Sequence, residues 1–273
     1  MRRMIATVVG SVLGIYLLCL LGLFVMQRGI VFHPPTDRAE LAAVDAVGLL
    51  QNVDIKTGDG LDLKSWWAPP RRADGRTIIY FHDNAGHRGD RVDRVRPYLA
   101  QGYGVLLVGY RGYGGNPGRP SEQGFYADGR ANLAFLKAEG VAPDRTILFG
   151  ESLGTAVAVQ MATENRYRAV VLEAPIASVR RSAAVRYPLF AIDAIILDKF
   201  DSLSKIDRID APLLVIHGER DAVTLVRFGR MILDAAKEPK QGFFPPDAGH
   251  GDLMEHGMPE KVLAFLATLP AAN

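Results

Sequence analysis

Hydrophobic and polar positions divide the chain into two stretches of different character. Residues 4 to 26 form an unbroken run of twenty-three residues without a charge, long enough as a helix to cross the roughly 30 Å hydrocarbon core of a bilayer. Beyond it the apolar residues come in short bursts. Val53-Asp54-Ile55-Lys56-Thr57 and Leu61-Asp62-Leu63-Lys64-Ser65-Trp66 alternate on either side of Gly58-Asp59-Gly60, which predicts a hairpin. Six further runs, at 78–81, 105–108, 147–149, 170–173, 213–217 and 242–244, are separated by stretches of helical character. Apolar strands alternating with helices predict an α/β fold, a mostly parallel sheet covered by helices on both faces.

This pattern organises the chain as an N-terminal transmembrane segment over 1–28, a juxtamembrane linker over 29–46, where Pro34-Pro35 blocks helix continuation, and one domain over 47–270. A short insert at 176–211 stands where such a fold carries a lid. It holds the apolar pieces Tyr187-Pro188-Leu189-Phe190-Ala191-Ile192 and Ile195-Ile196-Leu197, suited to packing over the site or, if exposed, to meeting an acyl chain or the bilayer. No small-x-small cleavage site follows the first segment, and the large Leu18 before Cys19 disfavours a lipoprotein signal, so an uncleaved signal-anchor is expected. Arg2, Arg3 and the terminal amine face a single Arg28 across the span; this charge bias keeps the N-terminus cytoplasmic and puts the domain in the periplasm or another extracytoplasmic space.

Cys19 is the chain's one cysteine, which excludes an intramolecular disulfide. The net charge of +2, spread without a basic run, leaves no electrostatic footprint for nucleic acid. No metal-ligand cluster or cofactor motif is present, and neither a metal nor a cofactor is expected.

The chemistry concentrates at Gly150-Glu151-Ser152-Leu153-Gly154. An apolar strand leads in and the small-residue helix of Ala156-Val157-Ala158-Val159 leads out, the frame of a nucleophile elbow. An ordinary glycine-rich turn could carry the same five residues; the strand-turn-helix context favours the elbow, with Ser152 as nucleophile. A serine hydroxyl needs a base and a carboxylate to orient it. Asp221, in a loop after one strand, and His250, in Asp247-Ala248-Gly249-His250-Gly251-Asp252 after another, follow in the order Ser, Asp, His. Asp221 could equally cap the segment starting at Ala222, and Glu219, Asp247 and Asp252 are alternative acids. Two backbone N–H groups must face the developing oxyanion: Leu153 follows the nucleophile, and Asn84 lies in the loop His82-Asp83-Asn84-Ala85-Gly86. His82 is expected to be a structural residue bonded to backbone, and His87 to be exposed.

After about residue 44 the chain resembles the α/β-hydrolase superfamily. The loop His82-Asp83-Asn84-Ala85-Gly86-His87-Arg88-Gly89-Asp90-Arg91, the stretch Tyr110-Arg111-Gly112-Tyr113-Gly114-Gly115-Asn116-Pro117-Gly118 and Lys199-Phe200-Asp201-Ser202-Leu203 are similar to the bud-emergence-type membrane-anchored serine hydrolases and to α/β-hydrolase-domain relatives that include protein depalmitoylases. The resemblance implies a Ser152, Asp221 and His250 triad, an oxyanion hole from Asn84 and Leu153, and an acyl ester or thioester substrate, lipid-derived or lipidated. Such proteins carry His-Gly-Asn where this chain has His82-Asp83-Asn84. A carboxylate there opposes an oxyanion unless it points to solvent or pairs with Arg88 or Arg91. The family's His-Asn-Asp also reads His250-Gly251-Asp252. Two other readings stay open: a peptidase of the prolyl-oligopeptidase type, and a membrane-tethered binding protein that keeps the fold without the activity.

Overall fold

The computed structural model describes residues 1–45 and 48–270, so the expected boundary between linker and domain, at Ala46 and Val47, lies outside the described residues. Eight strands, β1 (Gln51–Lys56), β2 (Asp62–Ala68), β3 (Thr77–Phe81), β4 (Gly104–Leu107), β5 (Thr146–Glu151), β6 (Ala169–Glu173), β7 (Leu213–Ile216) and β8 (Lys240–Phe243), form one sheet in the order β1-β2-β4-β3-β5-β6-β7-β8. The β1–β2 hairpin and the β2–β4 pair are antiparallel, and every later pair is parallel. The helices are α1 (Arg2–Val31), α2 (Leu41–Val44), α3 (Val92–Ala100), α4 (Glu122–Ala138), α5 (Gly154–Glu164), α6 (Val179–Arg186), α7 (Ile192–Ile195), α8 (Val226–Ala235) and α9 (Met258–Thr268).

The central strands β3, β4, β6 and β7 are buried at every position, because each lies between two helical layers. Successive side chains point to opposite faces. Ile79, Leu106, Leu148, Val170 and Val215 pack beneath α4, α5 and α8; Ile78, Val105, Phe149, Val171 and Leu214 pack beneath α3 and α9. The expected strands all form, with ends shifted by a residue or two. In the hairpin the turn is closed by the Thr57 N–H donating to the Leu61 carbonyl, with Gly60 at φ +92° where a side chain would be strained.

Among the described residues, α1 alone is long and apolar enough to cross a membrane, with a mean hydropathy of 2.6 over its most apolar window and no buried residue. It does not end in a free linker. Immediately after it Phe32 is 4% exposed and wedges edge-on against Phe125 and Phe200, at ring distances of 5.3 and 6.0 Å. His33 then pairs in parallel with Ala85, its N–H donating to the Asn84 carbonyl at 2.9 Å. Further on the Ala39 N–H donates to Gly114 at 3.3 Å. The residues following the apolar helix are thus stitched into the domain by one aromatic anchor and several backbone bonds.

Truncating a core phenyl ring removes its burial and leaves a void, so Phe32→Ala is expected to destabilise the domain by about 3–5 kcal/mol. Urea unfolding of the full chain in detergent, followed by the fluorescence of the buried Trp66 and Trp67, measures this.

Candidate active site

The chain turns from β5 into α5 at Ser152, whose backbone is left-handed at φ +49°. A non-glycine residue holds that conformation only where its surroundings impose it. Here the Ser152 N–H donates to the Glu173 carbonyl on β6 at 2.8 Å, and the Ser152 carbonyl accepts from the N–H and hydroxyl of Thr155 at 3.1 and 2.5 Å. The flanking glycines permit the tightness: a Cβ on Gly150 would stand 2.5 Å from Thr155 Cα, and one on Gly154 would stand 2.0 Å from the Phe81 carbonyl oxygen.

Ser152 Oγ lies 3.2 Å from His250 Nε2, and His250 Nδ1 lies 2.7 Å from Asp221 Oδ2. A carboxylate only accepts, so the imidazole proton sits on Nδ1 and the bare Nε2 faces the hydroxyl. The two oxygens of Asp221 have different partners. Oδ1 accepts from the N–H groups of Val223 and Thr224, each at 2.8 Å, which fixes the carboxylate for Oδ2 to meet His250. Burial works against the charge of Asp221, whose side chain is 0% exposed, yet hydrogen bonds from His217 and His250 hold its carboxyl far below the usual range. Burial also works to lower His250, but the hydrogen bond and charge of Asp221, with Glu151 and Glu173 behind them, outweigh it and raise the imidazole above its ordinary value. The alternative acids are engaged elsewhere: Glu219 with Arg230, Asp247 with Arg220, and Asp252 with the Gly249 N–H.

On the opposite side of Ser152, the loop after β3 brings up Asn84. Its carbonyl accepts from the His33 N–H and the Tyr113 hydroxyl, each at 2.9 Å, while its amide Nδ2 donates to the Val31 carbonyl at 2.7 Å. Those bonds hold Asn84 on both sides, while the peptide unit that carries its N–H is held through the Asp83 carbonyl, which accepts from His82 Nδ1 at 2.9 Å. The N–H groups of Asn84 and Leu153 have no acceptor among the described residues, and both residues line, with Ser152, a cavity of about 440 Å³.

Sequence comparison finds the same architecture elsewhere. An uncharacterized protein of Mycobacterium tuberculosis is 37% identical over 228 residues, 83% of this chain and 81% of that one. The alpha/beta hydrolase domain-containing protein 17B of Xenopus laevis is 30% identical over 197 residues, 70% of this chain and 66% of that one. The Hydrolase_4 family, described as serine aminopeptidase S33, matches residues 75–200. The chain belongs to the α/β-hydrolase superfamily. The fold of this hydrolase is that of a Pyrococcus furiosus esterase, with a TM-score of 0.69 at 20% identity over 88% of this chain and 98% of the other. An alpha-beta hydrolase of Vibrio vulnificus superposes with a TM-score of 0.67 at 20% identity, covering 82% of this chain and 84% of that one.

Beneath the serine the hydrolase carries a buried charge network that sequence reading reached only at Asp83. Arg91, at the start of α3, pairs with both Asp83 and Glu151, the Glu151 contact being 2.7 Å. Tyr80 donates to Glu151 at 3.0 Å, and Arg94 donates to the Tyr80 hydroxyl at 3.1 Å and pairs with Glu173. Of the two arginines offered for Asp83, Arg91 takes it; Arg88 instead stacks over Trp66 at 5.1 Å. Burial and the Glu151 carboxylate nonetheless push Asp83 up to about 6 against the pull of Arg91, and burial pushes Glu173 up to about 7 against the pull of Arg94. His82 is structural, as expected: Nδ1 donates to the Asp83 carbonyl at 2.9 Å, and burial with Arg91 nearby keeps the ring neutral. His87 departs from expectation. It is 7% exposed, capping the turn before α3 by accepting from the Gly89 N–H at 3.1 Å, with Nε2 3.2 Å from Asp37. Arg111 ties loops together through Asp59 and Asp128.

Removing one side of a buried ion network strands the other charge. Arg91→Gln is expected to cost about 3–5 kcal/mol in urea unfolding, and adding Asp83→Gly to return part of that loss, a coupling that a double-mutant cycle reads directly.

Proposed function

We propose that this α/β hydrolase is a membrane-anchored serine hydrolase of acyl esters or thioesters. The observation that carries the reading is the continuous hydrogen-bonded chain from Asp221 through His250 to a serine held at a strained elbow. Ser152 Oγ attacks the acyl carbonyl as His250 takes its proton. The carbonyl oxygen becomes an oxyanion held by the Asn84 and Leu153 N–H groups, and Asp221 stabilises the imidazolium. His250 then returns the proton to the departing alcohol or thiol. Water, activated by the same imidazole, releases the acid from the acyl-enzyme.

In this reading α1 spans the bilayer and stays attached. Arg2 and Arg3 against the single Arg28 beyond the span favour an N-terminus in the cytoplasm and a domain in the periplasm or another extracytoplasmic space, and on the domain side Arg28 is tied to Asp198 at 2.9 Å. The family description makes peptide cleavage the second reading. Against it, among the described residues no carboxylate lines the Ser152 cavity to hold a free α-ammonium group, and its walls are largely apolar. Hydrolysis rates on matched ester and amide substrates separate the two.

A fluorophosphonate probe is expected to label the detergent-solubilised wild type and neither Ser152→Ala nor His250→Ala. A folded but unlabelled wild type would replace the enzyme by a tethered binding protein. Asp221→Asn is expected to lower kcat by about 10⁴-fold. Protonated His250 cannot accept the serine proton, so activity falls as the pH drops through the raised imidazole value. The acid limb of kcat/KM therefore lies above pH 6.5 in the wild type and moves down in Asp221→Asn, which removes the main groups that raise it.

A further inference from the structure

The cavity around Ser152 is not enclosed by the hydrolase domain alone. Ile30 and Val31, in the last turn of α1, form part of its wall. From there a narrow apolar slot of about 50 Å³ follows α1 back to Leu23, between that helix and the lid helices α6 and α7. Ile30, Val31, Val179, Ala183 and Tyr187 border both spaces, so the slot adjoins the serine cavity across a shared wall. Leu23 belongs to the uncharged run, so the far end of the slot lies beside helix that has the composition of a membrane span.

The lid is locked to that helix in a way that suits a medium without water. Backbone polar groups in hydrocarbon must find partners within the protein. The Ile195 carbonyl accepts from Gln27 Nε2 at 3.0 Å, the Leu197 N–H donates to Gln27 Oε1 at 2.8 Å, and the Ala191 N–H donates to the Tyr16 hydroxyl at 3.2 Å. Phe190 stacks on the Tyr16 ring at 5.7 Å. Tyr16 precedes Gln27 by eleven residues, about 16 Å along the helix axis. Outward from this seam the lid shows Leu189 and Leu197, 83% and 52% exposed, while Asp193 on α7 is paired with Arg180 at 3.1 Å.

We propose that α1 is one wall of the acyl-chain site, so that a membrane-resident acyl chain reaches Ser152 from the hydrocarbon side, between α1 and α6–α7, with Ile30 and Val31 setting the length accepted. The proposal rests on the serine-hydrolase reading and adds the origin and path of the substrate. The anchor then acts on specificity as well as on location.

The test uses the full chain in micelles with p-nitrophenyl esters from butyrate to palmitate, comparing kcat/KM for laurate and butyrate. Wild type is expected to favour laurate. Ile30→Trp, which fills the junction of cavity and slot, is expected to lower the laurate-to-butyrate ratio about a hundredfold, as three or four methylenes lose burial worth about fourfold each. Ile30→Ala moves the preference toward palmitate, and Val25→Trp, on a lipid-exposed side of the same helix, leaves the ratio unchanged. An unaltered ratio in both Ile30 variants, with Ser152 still labelled by a fluorophosphonate, overturns the proposal. If Ile30→Trp is not labelled, Ile30→Ala alone decides it. A folded wild type that hydrolyses no ester removes the serine-hydrolase reading itself, a different result. In nanodiscs, palmitate release from a dipalmitoyl phospholipid identifies a lipid ester as the source and release from an S-palmitoyl peptide a lipidated protein; release from neither overturns the proposal.

Discussion

Gly154 lies so close to the ends of β3 that a single added carbon would collide with the carbonyl oxygens of Phe81 and His82, at 2.0 and 2.5 Å. β3 and β5 are parallel neighbours paired as far as Phe81 and Gly150, so their loops leave the sheet side by side, and this contact brings them into close approach. One loop carries Ser152 and Leu153, the other Asn84. With the strands paired and α5 beginning against the last residues of β3, Leu153 and Asn84 line the same cavity. The left-handed turn at Ser152 follows from the same requirement, since the chain must reverse direction within the few residues between β5 and α5. Asp221 and His250 arrive from the loops after β7 and β8, further along the parallel part of the sheet, which open on the same edge.

Charge is handled just as locally. Asp83, Glu151 and Glu173 lie under the imidazole with only Arg91 and Arg94 interleaved among them. Close to His250 the carboxylates therefore outnumber the guanidinium groups. This imbalance favours the charged form of the imidazole, while Arg91 holds the Asp83 charge in a bond beside the loop that carries Asn84. An acid at position 83 becomes compatible with the site through a partner eight residues further on.

What the sequence made legible was what local rules govern. The strand runs, the hairpin and the elbow are readable because periodicity and glycine placement are short-range signals, and Asp221 and His250 because chain order along parallel strands limits where they fall. Pairings across long separations leave no such trace. Arg94 meets Glu173 at a separation of 79 residues, and Gln27 meets Ile195 at 168. His87 looked like an ordinary loop histidine because nothing nearby announces that it caps a turn and faces Asp37, fifty residues earlier. The uniform apolarity of α1 likewise conceals that one of its sides touches protein.

The bonds from Asn84 to Val31 and His33 have a practical corollary for anyone preparing this hydrolase without its greasy helix. Excising the first thirty or so residues looks like the removal of a handle. It would also strip Asn84 of two of its hydrogen-bond partners, one on its side chain and one on its carbonyl, and leave a ring-sized gap beside Phe125 and Phe200 where Phe32 had been. A soluble fragment of that kind would lack contacts that the intact chain has, and a weak result obtained with it would describe the surgery rather than the protein.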